Sequence, residues 1–144
     1  MDAWHPHRGP HTFFAKVGSV ERWGGYTVNL IHYQDAASLA AAVLRGDGCA
    51  GGYYRSRVFL GSDNTPVTFS DMMEAFFASP AASGGGSVEF TGMPDGGRGK
   101  RVDASATWAA LGWAPEWRSF AKFFGAGGKD WYSTGAGVAG SGHV

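Results

Sequence analysis

Residues 26–45 read YTVNLIHYQDAASLAAAVLR, and this stretch decides the fold. The alternating residues from Tyr26 to Ile31 predict a half-buried strand, because β-branched and aromatic side chains recur there with a period of two. Asp35 is the natural N-cap of a following helix, and Gly46 can take the left-handed conformation that ends it. The apolar face of that helix has the usual spacing and consists of Ala36, Leu39, Ala40 and Val43. The polar corner at 32–35 is therefore the first place to look for a site.

Strand and helix patterns also alternate downstream. The short apolar run Arg57–Gly61, bounded by turn residues, predicts a buried strand. Thr68 is placed to cap the next helix, which Pro80 ends. That helix carries an apolar stripe at helical spacing, formed by Phe69, Met72, Met73, Phe76 and Phe77.

The C-terminal third predicts one more strand and two short helices. Val88–Thr91 is a candidate strand. Asp103 is a predicted N-cap of a helix that Gly112 ends, and Ser119 is a predicted N-cap of the last helix. One face of that last helix is aromatic and contains Phe120, Phe123 and Phe124.

Strands alternating with helices indicate an α/β fold class. Parallel strands need crossover connections and cover on both faces, and three strands are too few for a complete sheet of this kind. The pattern fits either a small α+β module or the back part of a larger α/β domain. We divide the chain into a loop or arm at residues 1–25, a folded part at 26–124 and a glycine-rich disordered tail at 125–144.

Composition excludes several classes of protein. The 12 basic and 12 acidic side chains cancel, so no overall field attracts nucleic acid or an anionic membrane. A single cysteine, Cys49, rules out an intramolecular disulfide and fits a reducing compartment. No apolar run approaches the roughly 18 residues of a membrane span, and the N-terminus lacks the apolar core of a secretory signal. We expect a soluble intracellular protein of the cytoplasm or an organelle stroma.

Two kinds of motif give little support for a dinucleotide-binding turn or a metal site. The glycine spacing of a dinucleotide-binding turn occurs at residues 46–51 and 135–140, but neither stretch follows a predicted strand and opens a helix. The histidines at 5, 7 and 11 lie close together, but no carboxylate or thiolate joins them at ligand spacing. We therefore predict no metal site.

Several segments together resemble one enzyme family. Residues 29–37, NLIHYQDAA, resemble the N-x-I-H-x-x-D-x-A segment in the C-terminal half of extended short-chain dehydrogenase/reductases of the NAD-dependent epimerase/dehydratase type. Other parts of the same family pattern occur in the same order at residues 8–12, 58–68, 100–103, 111–115 and 119–120. The resemblance extends over about residues 8 to 124.

The resemblance implies a partial Rossmann-like α/β fold, with few strands and short helices, that binds substrate. It places Arg8, His11, Asn29 and His32 in the substrate pocket, with Arg8 as an anion contact. The substrate would be a small molecule with a hydroxyl or keto group, possibly nucleotide-linked. The family cofactor is NAD or NADP.

The chain lacks two features of that family. No glycine-rich turn follows a predicted strand, and no Tyr is followed by Lys four residues later. We therefore expect a substrate-binding part that does not bind the cofactor or catalyse hydride transfer alone, whether through truncation or loss of the other half. Strands 26–31 and 57–61 would then lack neighbours and the chain would be marginally stable. The alternative is a non-catalytic module that docks to another chain through exposed aromatic surface.

Overall fold

The fold is described by a computed structural model at residues 2–94 and 97–129 of the 144-residue chain. These residues form a mixed α/β structure of short strands and short helices, with a 3₁₀ turn at Pro80–Ala82. In chain order the elements are β1 (Asp2–Trp4), α1 (Pro10–Val17), β2 (Ser19–Val20), β3 (Thr27–Val28), β4 (Leu30–His32), α2 (Tyr33–Arg45), β5 (Val67–Thr68), α3 (Phe69–Phe77), β6 (Glu89–Phe90), α4 (Ser105–Leu111) and α5 (Phe120–Gly125).

The strands form three separate pairs. β1 and β2 are parallel to β4 and β6 respectively, whereas β3 and β5 are antiparallel. The strand predicted over 26–31 is present but divided at Asn29, whose side chain bonds the backbone of Lys100 and Val102. Both halves are paired, so the expectation that this strand lacks neighbours is wrong. The strand predicted within 88–91 is confirmed as β6.

The N-terminal residues belong to the folded core. In β1, Trp4 is fully buried and lies opposite His32 of β4. Its ring contacts Phe120 and Phe123 of α5 at centroid distances of 5.0 and 4.8 Å. The residues predicted to form a loop or extended arm therefore include a strand that packs against α5, the last described helix.

Helix α2 begins three residues earlier than predicted. Its N-cap is His32, whose Nδ1 accepts a hydrogen bond from the Gln34 amide at 3.2 Å. Asp35 lies in the first turn, so its assignment as the N-cap is wrong. The helix ends at Arg45, and Gly46 takes the predicted left-handed conformation with φ 72°.

Helices α3 and α5 form the centre of the hydrophobic core. Thr68 and Ser119 cap them through their hydroxyl oxygens, as predicted. The predicted α3 stripe is confirmed: its three central residues are buried and its two end residues are half-buried. The buried core residues are Trp4, Phe14, Val28, Leu30, Met72, Met73, Phe76, Phe120, Phe123 and Phe124.

Two other predictions need correction. Residues 57–61 form no strand, and Val58 is 88% exposed. The amide of Leu60 donates to the Thr107 hydroxyl instead of to a neighbouring strand, because α4 packs alongside. Helix α4 begins at Ser105, so Asp103 precedes the N-cap position, although its Oδ1 still accepts from the Ser105 amide at 2.9 Å.

The predicted tail falls mostly beyond the described residues. α5 continues to Gly125, and residues 130–144, with the second glycine motif, lie outside the described part. Within the described part, no helix combines the length and the apolar character that crossing a bilayer requires.

Candidate functional site: an aromatic cleft beside strand β1

An open cleft of about 1110 Å³ lies beside β1. Ala3 of β1 forms part of one wall, and Gly9 with Pro10 at the start of α1 forms another. The remaining lining comes from the middle of α1, the end of β2, the β2–β3 connection, the start of α2 and α3, and the chain after β6. The cleft thus joins elements that are distant in sequence.

Aromatic rings dominate the cleft. Its aromatic lining residues are Phe13, Phe14, Trp23, Tyr26, Tyr33 and Phe69. Tyr26 stacks on Phe69 at a centroid distance of 5.6 Å and an interplanar angle of 20°. Phe13 is 59% exposed, Tyr33 44% and Tyr26 38%, so these rings present apolar surface to solvent at the cleft. Flat apolar groups pack well on such surfaces.

The cleft also contains polar groups. Glu21 and Arg22 supply one carboxylate and one guanidinium, and Thr91, Tyr26 and Tyr33 supply hydroxyls. None of the described lining residues is His, Cys, Ser or Lys. A cleft that combines aromatic rings with a small set of polar side chains is typical of a binding site.

The four predicted substrate contacts do not line this cleft. Asn29 bridges backbone instead: its Nδ2 donates to the Lys100 carbonyl at 2.7 Å and its Oδ1 accepts from the Val102 amide at 2.8 Å. Arg8 is exposed, and its backbone pairs with that of His5. Neither side chain is brought to the cleft.

His11 is a core residue. It is fully buried, and its ring contacts Phe76, Phe120 and Phe124 at centroid distances of 4.9 to 5.3 Å. Burial lowers the pKa of His11 to about 4, although the Pro6 carbonyl 3.3 Å from Nε2 partly opposes this effect. His11 is therefore neutral at pH 7, with Nε2–H as the donor to Pro6.

His32 is buried as completely as His11. It caps α2, and its ring lies 4.6 Å from the Trp4 ring and 5.7 Å from the Trp117 ring. Sequence reasoning identified this polar corner but not the aromatic side chains that enclose it. Substrate contact by these four residues stays a prediction.

Gly46 and Gly48, the first two glycines of the motif at 46–51, lie against protein backbone. Gly46 closes α2, and a Cβ at this position would lie 2.1 Å from the Gly52 carbonyl oxygen. A Cβ at Gly48 would lie 2.1 Å from the Ala110 carbonyl oxygen. These glycines allow protein backbone to approach, whereas a dinucleotide turn would present its backbone to pyrophosphate at a helix N-terminus.

The N-terminal histidines do not converge in the described structure. The rings of His5 and His7 lie 5.8 Å apart, whereas His11 packs in the aromatic core. Within residues 2–94 and 97–129, no group of three or more His, Cys, Asp or Glu side chains is arranged to hold a metal ion.

Sequence reasoning missed both the cleft and two buried carboxylates. The sequence predicts Asp35 to be a helix cap, and Asp63 lies just after the apolar run at 57–61, yet each side chain is only 2% exposed. The cleft has no local sequence signal, since its rings come from four separate parts of the chain. Comparison with known proteins gives no guide either, because the chain matches no protein-family profile, no curated protein and no solved structure.

Proposed function

We propose that this chain is the substrate-binding part of an NAD(P)-dependent oxidoreductase or epimerase of the short-chain dehydrogenase/reductase type. The part described here would form one wall of the substrate pocket. The cofactor and the catalytic Tyr–Lys pair would belong to a Rossmann half outside this chain. Hydride transfer by the chain alone is not part of the proposal.

The burial of β4 supports this proposal best. All three of its residues, Leu30, Ile31 and His32, are buried, and the strand is parallel to β1. Strands that are buried on both faces and paired in parallel are typical of α/β domains, in which helices cover both sides of a larger sheet. A two-stranded parallel sheet is the minimum fragment of such a domain.

The position of the cleft agrees with the same proposal. Among the described residues, β1 pairs only with β4, and Ala3 of β1 lines the cleft. Ligands of open α/β sheets bind in crevices beside the sheet, at the carboxyl ends of the strands. A further half that pairs with the free edge of β1 would cover the cleft and enclose a small substrate.

Cofactor binding provides the first test. Purified chain is titrated with NADH and with NADPH while the nicotinamide fluorescence is followed. We expect no binding in the micromolar range, because Gly46 and Gly48 of the motif at 46–51 lie against protein backbone. Micromolar binding of either cofactor would show that the chain contains a dinucleotide site and would contradict the proposed division.

Substrate binding provides the second test. A panel of small hydroxy and keto compounds and nucleoside diphosphate sugars is added to ¹⁵N-labelled chain, and we expect shifts at Trp23 and Tyr26. Tyr26→Ala removes a ring that lines the cleft, and we expect it to weaken binding about tenfold. Tyr53→Ala is the matched control, since Tyr53 is 59% exposed and lies outside the cleft. Shifts confined to other surfaces would exclude the cleft as the pocket.

A second candidate function is docking to another protein chain. Four large apolar side chains that line the cleft are exposed: Phe13, Tyr26, Tyr33 and Met93. Exposed apolar groups clustered in one place are a common feature of interaction surfaces. Size-exclusion chromatography with light scattering, combined with Phe13→Ser, tests this alternative: an oligomer that the substitution dissociates favours docking, and a wild-type monomer argues against self-association.

A further inference from the structure

Asp63 is a buried carboxylate with an incomplete set of partners. Its amide donates to the Leu30 carbonyl of β4 at 3.0 Å, which holds the turn against the sheet. Its Oδ1 accepts from the Thr65 amide at 2.9 Å. Its Oδ2 is buried and has no hydrogen-bond partner among the described residues. An ionised carboxylate in this position is poorly solvated.

A second buried carboxylate holds the chain just before α5. The two oxygens of Asp35 accept from the amides of Glu116 and Trp117 at 2.8 and 3.0 Å. The turn at Asp63 holds the next residue of the same segment, because the Thr65 hydroxyl donates to the Arg118 carbonyl at 2.7 Å. The Asp35 carboxylate directly, and the turn at Asp63 through Thr65, therefore fix residues 116–118, which we call the latch segment.

The titratable groups on the segments next to the two carboxylates are a histidine, exposed acidic side chains and one exposed arginine. His32 caps the helix that carries Asp35, and Asp103 bonds the Asn64 side chain next to Asp63. The charged side chains of the latch segment, Glu116 and Arg118, are exposed, as is Asp103. No ion pair of Asp63 or Asp35 with a Lys or Arg is present in the described structure that would compensate a second buried negative charge.

We propose that Asp63 is a pH-sensitive switch that keeps the latch segment closed while it is neutral and releases the segment when it ionises beside Asp35. Burial raises the pKa of Asp63 to about 7, with a further contribution from the charge of Asp35, whereas the Thr65 amide lowers it. The change therefore falls near neutral pH, far from the usual Asp range.

Repulsion and desolvation explain the release. Above the pKa of Asp63, its negative charge is buried and is repelled by the charge of Asp35. The turn at 62–65 can reduce the repulsion and the desolvation cost by moving Asp63 into water. That movement takes the Thr65 hydroxyl away from the Arg118 carbonyl. Trp117 follows, and its contacts with His32 and Phe123, at centroid distances of 5.7 and 4.9 Å, open. The opened state exposes aromatic surface next to α5.

The test uses the whole chain without a ligand. ¹³C NMR of the Asp carboxyl groups reports the titration of Asp63, and hydrogen exchange of the Glu116 and Trp117 amides reports opening, after correction for intrinsic exchange. We expect Asp63 to titrate near pH 7. The opening equilibrium of both amides should rise about tenfold between pH 6 and 8.

Two variants separate this effect from the titration of the histidines. Asp63→Asn keeps an oxygen for the Thr65 amide and removes the charge, so we expect protection that is constant between pH 6 and 8. Asp71→Asn, at an exposed site in the first turn of α3, should behave as wild type. The proposal is overturned if wild-type Asp63 titrates below pH 5, if wild-type protection is constant, or if Asp63→Asn loses protection as wild type does. The wild-type measurement decides even if the variant fails to fold.

Discussion

Polar side chains with distant backbone partners determine the local order of this protein at the scale of single residues. Asp35, Asn29 and Thr65 each bond backbone groups that lie more than 50 residues away. A satisfied buried polar group stabilises one arrangement, and loss of one partner leaves the other group unpaired. These few side chains therefore fix where the C-terminal third packs.

Substitution of Asp35 tests this at one position. Asp35→Ala removes the acceptor of two backbone amides, and we expect a loss of about 2–4 kcal/mol in the free energy of unfolding. Asp35→Asn keeps one oxygen and should lose less. Urea unfolding followed by circular dichroism provides the measurement, with Asp71→Ala as the control. A loss from Asp35→Ala no larger than that of the control would mean that Asp35 does not hold the segment.

The lowered pKa of His11 and the raised pKa of Asp63 predict opposite dependences of stability on pH. The pKa of His11 is lowered from 6.5 to about 4, so its contribution to stability is lost as pH falls through that range. The pKa of Asp63 is raised from 3.8 to about 7, so its contribution is present below 3.8 and is lost as pH rises to about 7. Between about pH 4 and 6.5 the two effects oppose each other.

Single variants should reveal each effect. We expect His11→Gln to become less stable from pH 4 to 7, because only the Asp63 contribution remains. Asp63→Asn should become more stable from pH 4 to 6.5, because only the His11 contribution remains. Urea unfolding at pH 4.5, 5.5, 6.5 and 7.5 measures both slopes. Slopes of the same sign in the two variants would contradict the assignment.

Helix termini set the geometry at the scale of the elements. α3 and α5 begin at hydroxyl caps, and α2 and α4 end at glycines in the left-handed conformation. Such signals act over a few residues, so the sequence predicts them well. The exception is the start of α2, where His32 caps the helix and leaves Asp35 to bond a distant segment.

Two glycines at helix ends allow a matched comparison. Gly112 has φ 58° and open space around it, so Gly112→Ala should cost about 1–2 kcal/mol through backbone strain alone. Gly46 has φ 72°, and an added Cβ would also meet the Gly52 carbonyl at 2.1 Å. We expect Gly46→Ala to cost about 1–3 kcal/mol more than Gly112→Ala. Equal losses in chemical denaturation would show that the loop after α2 yields to the methyl group.

At the scale of the whole molecule, the described core is built by contacts between its first and last elements, β1 and α5. Trp4 of β1 packs against α5, so the first and last described elements share one core. The short strands and the free edge of β1 leave little regular structure beyond this core. We therefore keep the expectation of marginal stability for the isolated chain, which a sharp cooperative thermal transition of the purified monomer would contradict.

Removal of Trp4 tests the connection between the ends. Trp→Ala in a core costs about 3–5 kcal/mol, which is comparable to the total stability of a marginal domain. We expect Trp4→Ala to unfold most of the chain, as measured by far-UV circular dichroism at 25 °C. The control is Trp23→Ala, at a half-buried position in the cleft. A folded Trp4→Ala protein would indicate that β1 is a dispensable arm.

The sequence by itself determined what depends on neighbouring residues. The α3 stripe, the hydroxyl caps of α3 and α5, and the glycine at the end of α2 follow from hydrogen bonds and packing within one or two helical turns. The mixed α/β character follows from the same patterns. The short strand β6 was also predictable. The strand predicted at 57–61 is absent, because an apolar run alone does not supply a strand partner.

Only the tertiary structure decided the functions of the polar residues and the position of the cleft. The sequence predicts His11 and His32 to be substrate contacts, but aromatic rings from distant elements bury both side chains. Asp35 has the pattern of a cap, yet its partners lie 81 and 82 residues further on. Burial and long-range hydrogen bonds depend on which segments meet, and no local pattern contains that information.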